Sequence, residues 1–324
     1  MPLFQLRFLR FHQAIKLNNA DENATLREKR DAVLVRLRSG LDRTCQDFPQ
    51  GSYAMGTGCK PLDGDYDIDV GIVFSGPANT RPDPMVLKRA VRDAVNGHTV
   101  TPAQWLRNCV RVQYIQAGSP IYHVDLAVYW QDVETDSWST TPRRGAMYLA
   151  VGKEGAQSAD KEWQLSEPKA LRDLIADYGQ PGVQRDQFKR VIRYLKRWRQ
   201  VHFSAAGNAS PVGIGLSVCA LQWFRSNATH ASTDASVDDL AALRSLVASM
   251  RVNFALVLGS RAYARRLVVK LPTEPRLDVF RKMADGQMAQ FEQQLTELDS
   301  LLQAAANSGD SSYLRRAFGD DFPI

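Results

Sequence analysis

Apolar residues recur at every second position in two stretches of the chain, and each stretch leaves acids on its other face. From 66 to 74, Tyr66, Ile68, Val70, Ile72 and Phe74 alternate with Asp67 and Asp69. From 121 to 130, Tyr122, Val124, Leu126, Val128 and Trp130 alternate with His123 and Asp125. Period-2 alternation predicts strands with one face in a core, so both strands present carboxylates on the other face. Residues 109–116 alternate in the same way and predict a third strand. Elsewhere the period is helical. Residues 3–16 carry leucines and phenylalanines at helical spacing, and residues 24–41 form a charged amphipathic helix with Leu26, Val33, Val35 and Leu37. Asp83 reads as an N-cap, with Pro84 in the first turn, Leu87, Ala90, Val91 and Ala94 inward, and Gly97 at the stop.

Within residues 50–130 the order is helix, strand, helix, strand, strand, an α/β lobe. Residues 131–146, rich in Thr, Ser, Asp, Pro and Arg, read as a surface loop. Beyond about residue 166 strand patterns become sparse. Residues 182–204, 213–225, 238–250 and 275–306 predict helices there, with a polar linker at 227–236. The expected division is a first lobe at 1–165 and a mainly helical lobe at 166–324.

The paired acids change the picture from architecture to chemistry. Two carboxylates on one strand face repel, and each is costly to bury unpaired; a divalent cation between them relieves both costs. Oxygen ligands of this kind suit Mg2+ or Mn2+, with substrate phosphates completing the shell. A solvated strand face also accommodates a bare D-x-D. Two observations favour chemistry: Asp125 supplies a third acid on the second strand, and Gln50-Gly51-Ser52 precedes the first. A glycine lets the backbone approach a ligand, and a hydroxyl and free amides at a helix start bind phosphate. His123 reads as a structural histidine and is not placed in the site.

Competing motifs fail on spacing. Asp63, Asp65 and Asp67 imitate the opening of a calcium loop, but its sixth position is Ile68 and its twelfth Phe74. There is no phosphate-binding G-x-x-x-x-G-K-[ST] loop. The 4 cysteines lack disulfide or zinc spacing and read as reduced thiols. The formal charge of +6 suits a polyanionic ligand. On the helix at 182–204, Phe188, Ile192 and Leu195 form an inward stripe. Lys189, Arg193 and Lys196 line a neighbouring face, able to cradle triphosphate or simply solvated. With no apolar run of membrane-spanning length and no leader pattern, the cytoplasm is the expected location.

The segment from Gln50 to Phe74 resembles the polymerase-β-like nucleotidyltransferases, and among them the bacterial CD-NTases, relatives of cyclic GMP-AMP synthase and oligoadenylate synthase. Gly51, Ser52, Asp67, Asp69 and Asp125 match the family pattern of G-S, a spacer, D-x-D and a later D. The tail from Leu314 to Pro323 is similar to the ending of many relatives. The resemblance implies an α+β fold: a polymerase-β-like lobe with a mixed sheet, a bracing N-terminal helix, and a helical second lobe of oligoadenylate-synthase type. It implies catalytic and metal-binding roles for Asp67, Asp69 and Asp125 with two Mg2+ or Mn2+ ions, and nucleotide contacts from Gln50, Gly51, Ser52, Lys196 and Ser210. Ser217 competes with Ser210, and Gly213 stands where some relatives carry a hydroxyl. The implied activity is the joining of NTPs into a cyclic di- or trinucleotide second messenger in anti-phage (CBASS) signalling. An effector and an activating protein are the implied partners. A nucleotidyltransferase acting on tRNA or a small molecule, a toxin of the superfamily, and a non-catalytic nucleotide- or RNA-binding module share parts of this pattern.

Overall fold

The computed structural model describes residues 2–17, 20–134, 143–204, 209–227, 233–258 and 263–324. The elements are α1 (Gln5–Ile15), α2 (Ala20–Gly40), β1 (Gln46–Gln50), α3 (Gly51–Ala54), β2 (Tyr66–Gly76), α4 (Pro84–Val95), β3 (Gln104–Trp105), β4 (Val110–Gln116), β5 (Ser119–Glu134), β6 (Arg143–Val151) and β7 (Glu162–Leu165). They continue with α5 (Pro168–Ala176), α6 (Val183–His202), α7 (Gly213–Trp223), α8 (Asp239–Val252), β8 (Phe254–Leu258), β9 (Tyr263–Leu267), α9 (Asp285–Ser308) and α10 (Ser312–Phe318).

The large sheet is mixed, as a polymerase-β-like α+β lobe requires. Its strands run in the order β1-β2-β5-β4-β3, with β6 added to β5 and β7 to β6. β2 and β5 are parallel, while β1, β4 and β6 pair antiparallel to their neighbours. One sheet face is apolar as the alternation predicts: Ile68, Val70, Ile72, Phe74, Val124, Leu126 and Val128 are buried against α2 and α4. Asp83 caps α4 by accepting from the Met85 amide at 2.8 Å. In α2, Leu26, Val33 and Leu37 are inward, but Val35 is 65% exposed and Leu34 is the buried residue instead. Two residues along a helix turn about 200°, so Val33 and Val35 cannot share a face.

The opposite sheet face changes character along the strands. It begins with the acids and ends in a small apolar patch of Phe48, Val73, Ala127 and Tyr129. Gly71 on this face makes room for Phe48; a Cβ there would lie 2.2 Å from its ring.

A second core joins α1 to α5–α10. Phe8 and Phe11 pack on Tyr194 of α6 and on Phe318 and Phe322 of the tail. Two expectations need correction. Residues 131–146 are not a loop throughout: β5 continues to Glu134 and β6 starts at Arg143, paired Glu134↔Arg143 and Val133↔Arg144. The polar composition there is that of an exposed strand end, and 135–142 lie outside the described residues. The last long helix starts at Asp285 rather than 275. The Asp278 side chain accepts from the Val269 and Phe280 amides, holding residues 271–284 in an irregular segment. Beside the helical core lies the β8–β9 pair; β8 is wholly apolar and β9 carries Arg265 and Arg266 side by side, so neither strand alternates. Part of the expected linker at 227–236 lies outside the described residues.

Candidate functional site

Strand register brings the acids together. In the parallel β2–β5 pair, Asp69 lies opposite Asp125 and Asp67 opposite His123. β1 adds its end to the same place, with Gln50 opposite Asp69. The chain then turns at Gly51 with φ +71, and a Cβ at that position would sit 1.8 Å from Asp69 Oδ2. Only glycine allows both this backbone and this approach. The turn sets Ser52 beside the acids, and the Gln50 side chain accepts from the Tyr129 hydroxyl at 3.0 Å.

The three carboxylates are not equivalent. Arg111 donates to both oxygens of Asp125, each at 2.8 Å. His123 sits between Asp65 and Asp67, with Nδ1 3.0 Å from Asp65 and Nε2 3.1 Å from Asp67. Burial opposes the charge on His123, but the contacts with Asp67 and Asp65 outweigh it and lift its pKa to about 9. Asp69 has no hydrogen bond or ion pair among the described residues. Burial, then Asp67 and Asp125, push its carboxyl well above the usual range. A like-charge cluster of this kind is what a divalent cation neutralises. Asp67, His123 and Asp125 each offer a ligand atom within 4.8 Å of the others, so the residues present fit a metal ion.

A cleft of about 890 Å³ extends from Asp67 and Asp69 to the helical core. Lys196, Arg199, Ser210, Arg281 and Lys282 line its far side. An acidic floor thus faces a cationic wall. The α6 stripe is neither a solvated face nor an open cradle. Arg193 and Lys196 are buried and Lys189 is half-buried. Arg193 donates to the Gly58 carbonyl at 3.0 Å and to that of Gly56. Lys196 Nζ donates to the Thr57 carbonyl at 3.0 Å and lies 3.2 Å from its hydroxyl. The stripe therefore grips residues 56–58, the turn that follows Gly51-Ser52. Lys196 also lines the cleft, and burial lowers its pKa to about 8. Of the two serine candidates, Ser217 is committed to the Gly213 carbonyl at 3.2 Å. Ser210 lines the cleft, and its hydroxyl is buried without a partner among the described residues.

Residues 46–129 match the family described as cyclic GMP-AMP synthase DncV-like, nucleotidyltransferase domain. This segment resembles a DncV-like nucleotidyltransferase domain. It contains the Gly51 turn and all three acids. A curated cyclic GMP-AMP synthase from Escherichia albertii is 26% identical over 221 residues, 66% of this chain. The alignment spans 46% of that protein, so the chain matches about half the length of this relative. The solved Vibrio cholerae DncV cyclic AMP-GMP synthase has a TM-score of 0.69 at 17% identity, covering 99% of this chain and 97% of that one. Bradyrhizobium diazoefficiens CdnG, solved with GTP, has a TM-score of 0.68 at 16% identity, covering 99% and 96%. These two likenesses are of fold, and they cover nearly the whole chain.

Two residues around the acids, Arg111 and Arg199, were not singled out from the sequence, and His123, read there as structural, stands with Asp67 and Asp125 as a candidate ligand. Arg111 lies on the acid face of its strand, which alternation alone could have flagged. Arg199 follows Lys196 by three on α6, one helical turn along the same side. What the pattern could not supply was which of these residues meet.

Proposed function

We propose that the chain is a nucleotidyltransferase that joins NTPs into a cyclic di- or trinucleotide. The observation that carries this reading is the register that assembles Asp67, Asp69 and Asp125 beside the Gly51 turn, inside the segment that matches the DncV-like family. Asp67, Asp69 and Asp125 would hold two Mg2+ or Mn2+ ions, which when bound neutralise triphosphate charge and lower the pKa of the acceptor hydroxyl. Gly51 and Ser52 offer backbone amides and a hydroxyl to the donor phosphates. Lys196, Ser210 and Arg199 face them from the second lobe. In the reaction the acceptor ribose oxygen bonds to the donor's α-phosphorus, the bond to pyrophosphate breaks, and the hydroxyl proton leaves on the Asp125 side. Preorganised charges lower the barrier because they need no reorganisation as charge develops.

The reading divides the chain into a catalytic lobe at 1–165 and a helical lobe at 166–324, with α1 packed into the helical core. It makes NTPs the substrates and a cyclic-nucleotide effector the downstream partner. A protein activator and CBASS signalling in the cytoplasm complete it. Among the described residues no helix is long and apolar enough to cross a membrane.

The test is incubation with mixed labelled NTPs and Mg2+ or Mn2+, followed by phosphatase. A phosphatase-resistant small product supports cyclisation. Label transferred to added tRNA or to a small-molecule acceptor replaces that conclusion with a different acceptor. Nucleotide binding without turnover makes the chain a binding module.

A further inference from the structure

Arg111 holds Asp125 by both oxygens, yet the reaction above gives it no task. It lies opposite Asp125 in the antiparallel β4–β5 pair. Its neighbours Val110 and Val112 are buried under the sheet, which commits Arg111 to the acid face. Nε reaches Oδ1 at 2.8 Å and Nη2 reaches Oδ2 at 2.8 Å. Two parallel N–H···O bonds fix the plane of a carboxylate, which a point-charge donor does not do. Each carboxylate oxygen keeps a second lone pair, so Asp125 can still ligate a cation while gripped. The grip also stations a permanent positive charge beside a site built for dications, and like charges repel. Among the three acids, Asp125 alone is held through both oxygens by described residues; Asp67 touches His123, and Asp69 has no such partner.

We propose that Arg111 is a positioning residue of the transfer site, fixing the plane of Asp125 toward the acceptor hydroxyl at the expense of metal affinity. This rests on the nucleotidyl-transfer reading. It separates geometry from charge. Truncating Arg111 lets Asp125 rotate, which slows transfer, and removes a positive charge, which tightens cation binding. A side chain that merely braced the sheet would not move the two in opposite directions.

The experiment titrates Mn2+ without nucleotide, by electron paramagnetic resonance, into the full chain and its Arg111→Ala and Arg111→Lys variants. Turnover at saturating Mn2+ and NTP, and Tm without metal, are measured alongside. Arg111→Ala should bind Mn2+ about tenfold tighter and turn over roughly 10–100-fold more slowly. Arg111→Lys keeps the charge and loses the fork, so its Mn2+ affinity should stay within about twofold while turnover still falls about tenfold. Should the alanine variant fail to fold, the lysine variant decides on the same two readouts. Unchanged or weaker Mn2+ binding in Arg111→Ala, or full turnover in Arg111→Lys, overturns the assignment. A wild-type chain that binds Mn2+ but joins no nucleotides overturns the proposed reaction instead, and the Mn2+ titrations then decide Arg111's effect on the cation by themselves.

Discussion

The floor of the cleft and its far wall are both lines of charged residues, but they are held by different means. On the floor, Asp67 and Asp69 lie on one strand and meet Asp125 through backbone register. On the wall, Lys196 and Arg199 lie on one helix, and Lys196, with Arg193 behind it, is held by carbonyls of residues 56–58. The floor accumulates like charge that its own neighbours relieve unevenly. The wall has already spent much of its hydrogen-bonding capacity on the protein. A line of charge on a strand face beside its own kind therefore signals a missing ligand more strongly than a line of charge on a helix does.

The sharpest way to break this comparison is at the floor. Asp67→Ala or Asp69→Ala should bring synthesis below detection in the labelled-NTP assay. Removing Asp69 also relieves carboxylate repulsion in the metal-free protein, so the Tm of Asp69→Ala in chelator should hold or rise, whereas Asp67→Ala gives up the contact with His123. Synthesis near the wild-type level in either variant contradicts a metal role for the floor.

Gly51→Ala attacks the junction of strand and turn. The new Cβ meets Asp69 Oδ2 at 1.8 Å in a backbone with φ +71. Turnover should fall about 100-fold as Asp69 is displaced. The strained conformation should cost on the order of 1–3 kcal/mol of stability, measured by denaturant titration. Wild-type kinetics would mean that the approach of this turn to Asp69 is incidental.

These two regions also show how far the fold was readable in advance. The acid face was legible because strand alternation is local: each of Ile68, Val70, Val124 and Leu126 reports independently which side is core. The glycine and the three acids followed from that pattern and from a short motif. The grip of Arg193 on Gly58 joins positions 135 apart in sequence, and no local pattern encodes it. The same holds for Arg111 and Asp125, whose faces are readable but whose register is not. The segment at 271–284 escaped because side-chain capping by Asp278 competes with helix formation, and composition does not show the winner.

At the wall the expected effects are smaller. Lys196→Ala should raise the KM for NTP about tenfold, a charge-assisted contact being worth roughly 1.5–3 kcal/mol and 1.4 kcal/mol a factor of ten. Arg197→Ala should affect KM less, because Arg197 pairs with Asp321 of the tail at 3.3 Å. Steady-state kinetics of the two variants rank them; a greater KM effect at Arg197 reverses the assignment.

Smallest is a pH effect on stability away from the chemistry. His12 accepts from Arg193 at 3.1 Å, which requires the neutral ring. Burial, then Arg193 and Arg190, lower its pKa from 6.5 to about 3. The unfolded chain therefore binds a proton in that window that the folded chain does not, and stability falls as pH drops from 6.5 toward 3. Thermal melts across this range should show a shallower acid slope for His12→Gln than for wild type. Parallel slopes would mean the ring is protonated in the folded protein.

The central claim is that the acid floor is a cation site that transfers nucleotides. It is tested most directly by titrating Mn2+ into wild-type and Asp69→Asn protein and following the same samples through one round of labelled-NTP joining. The account predicts Mn2+ binding and a phosphatase-resistant product for the wild type, and weakened Mn2+ binding with loss of product in Asp69→Asn, its Tm in chelator maintained. Equal Mn2+ binding and equal product in the two proteins would contradict it.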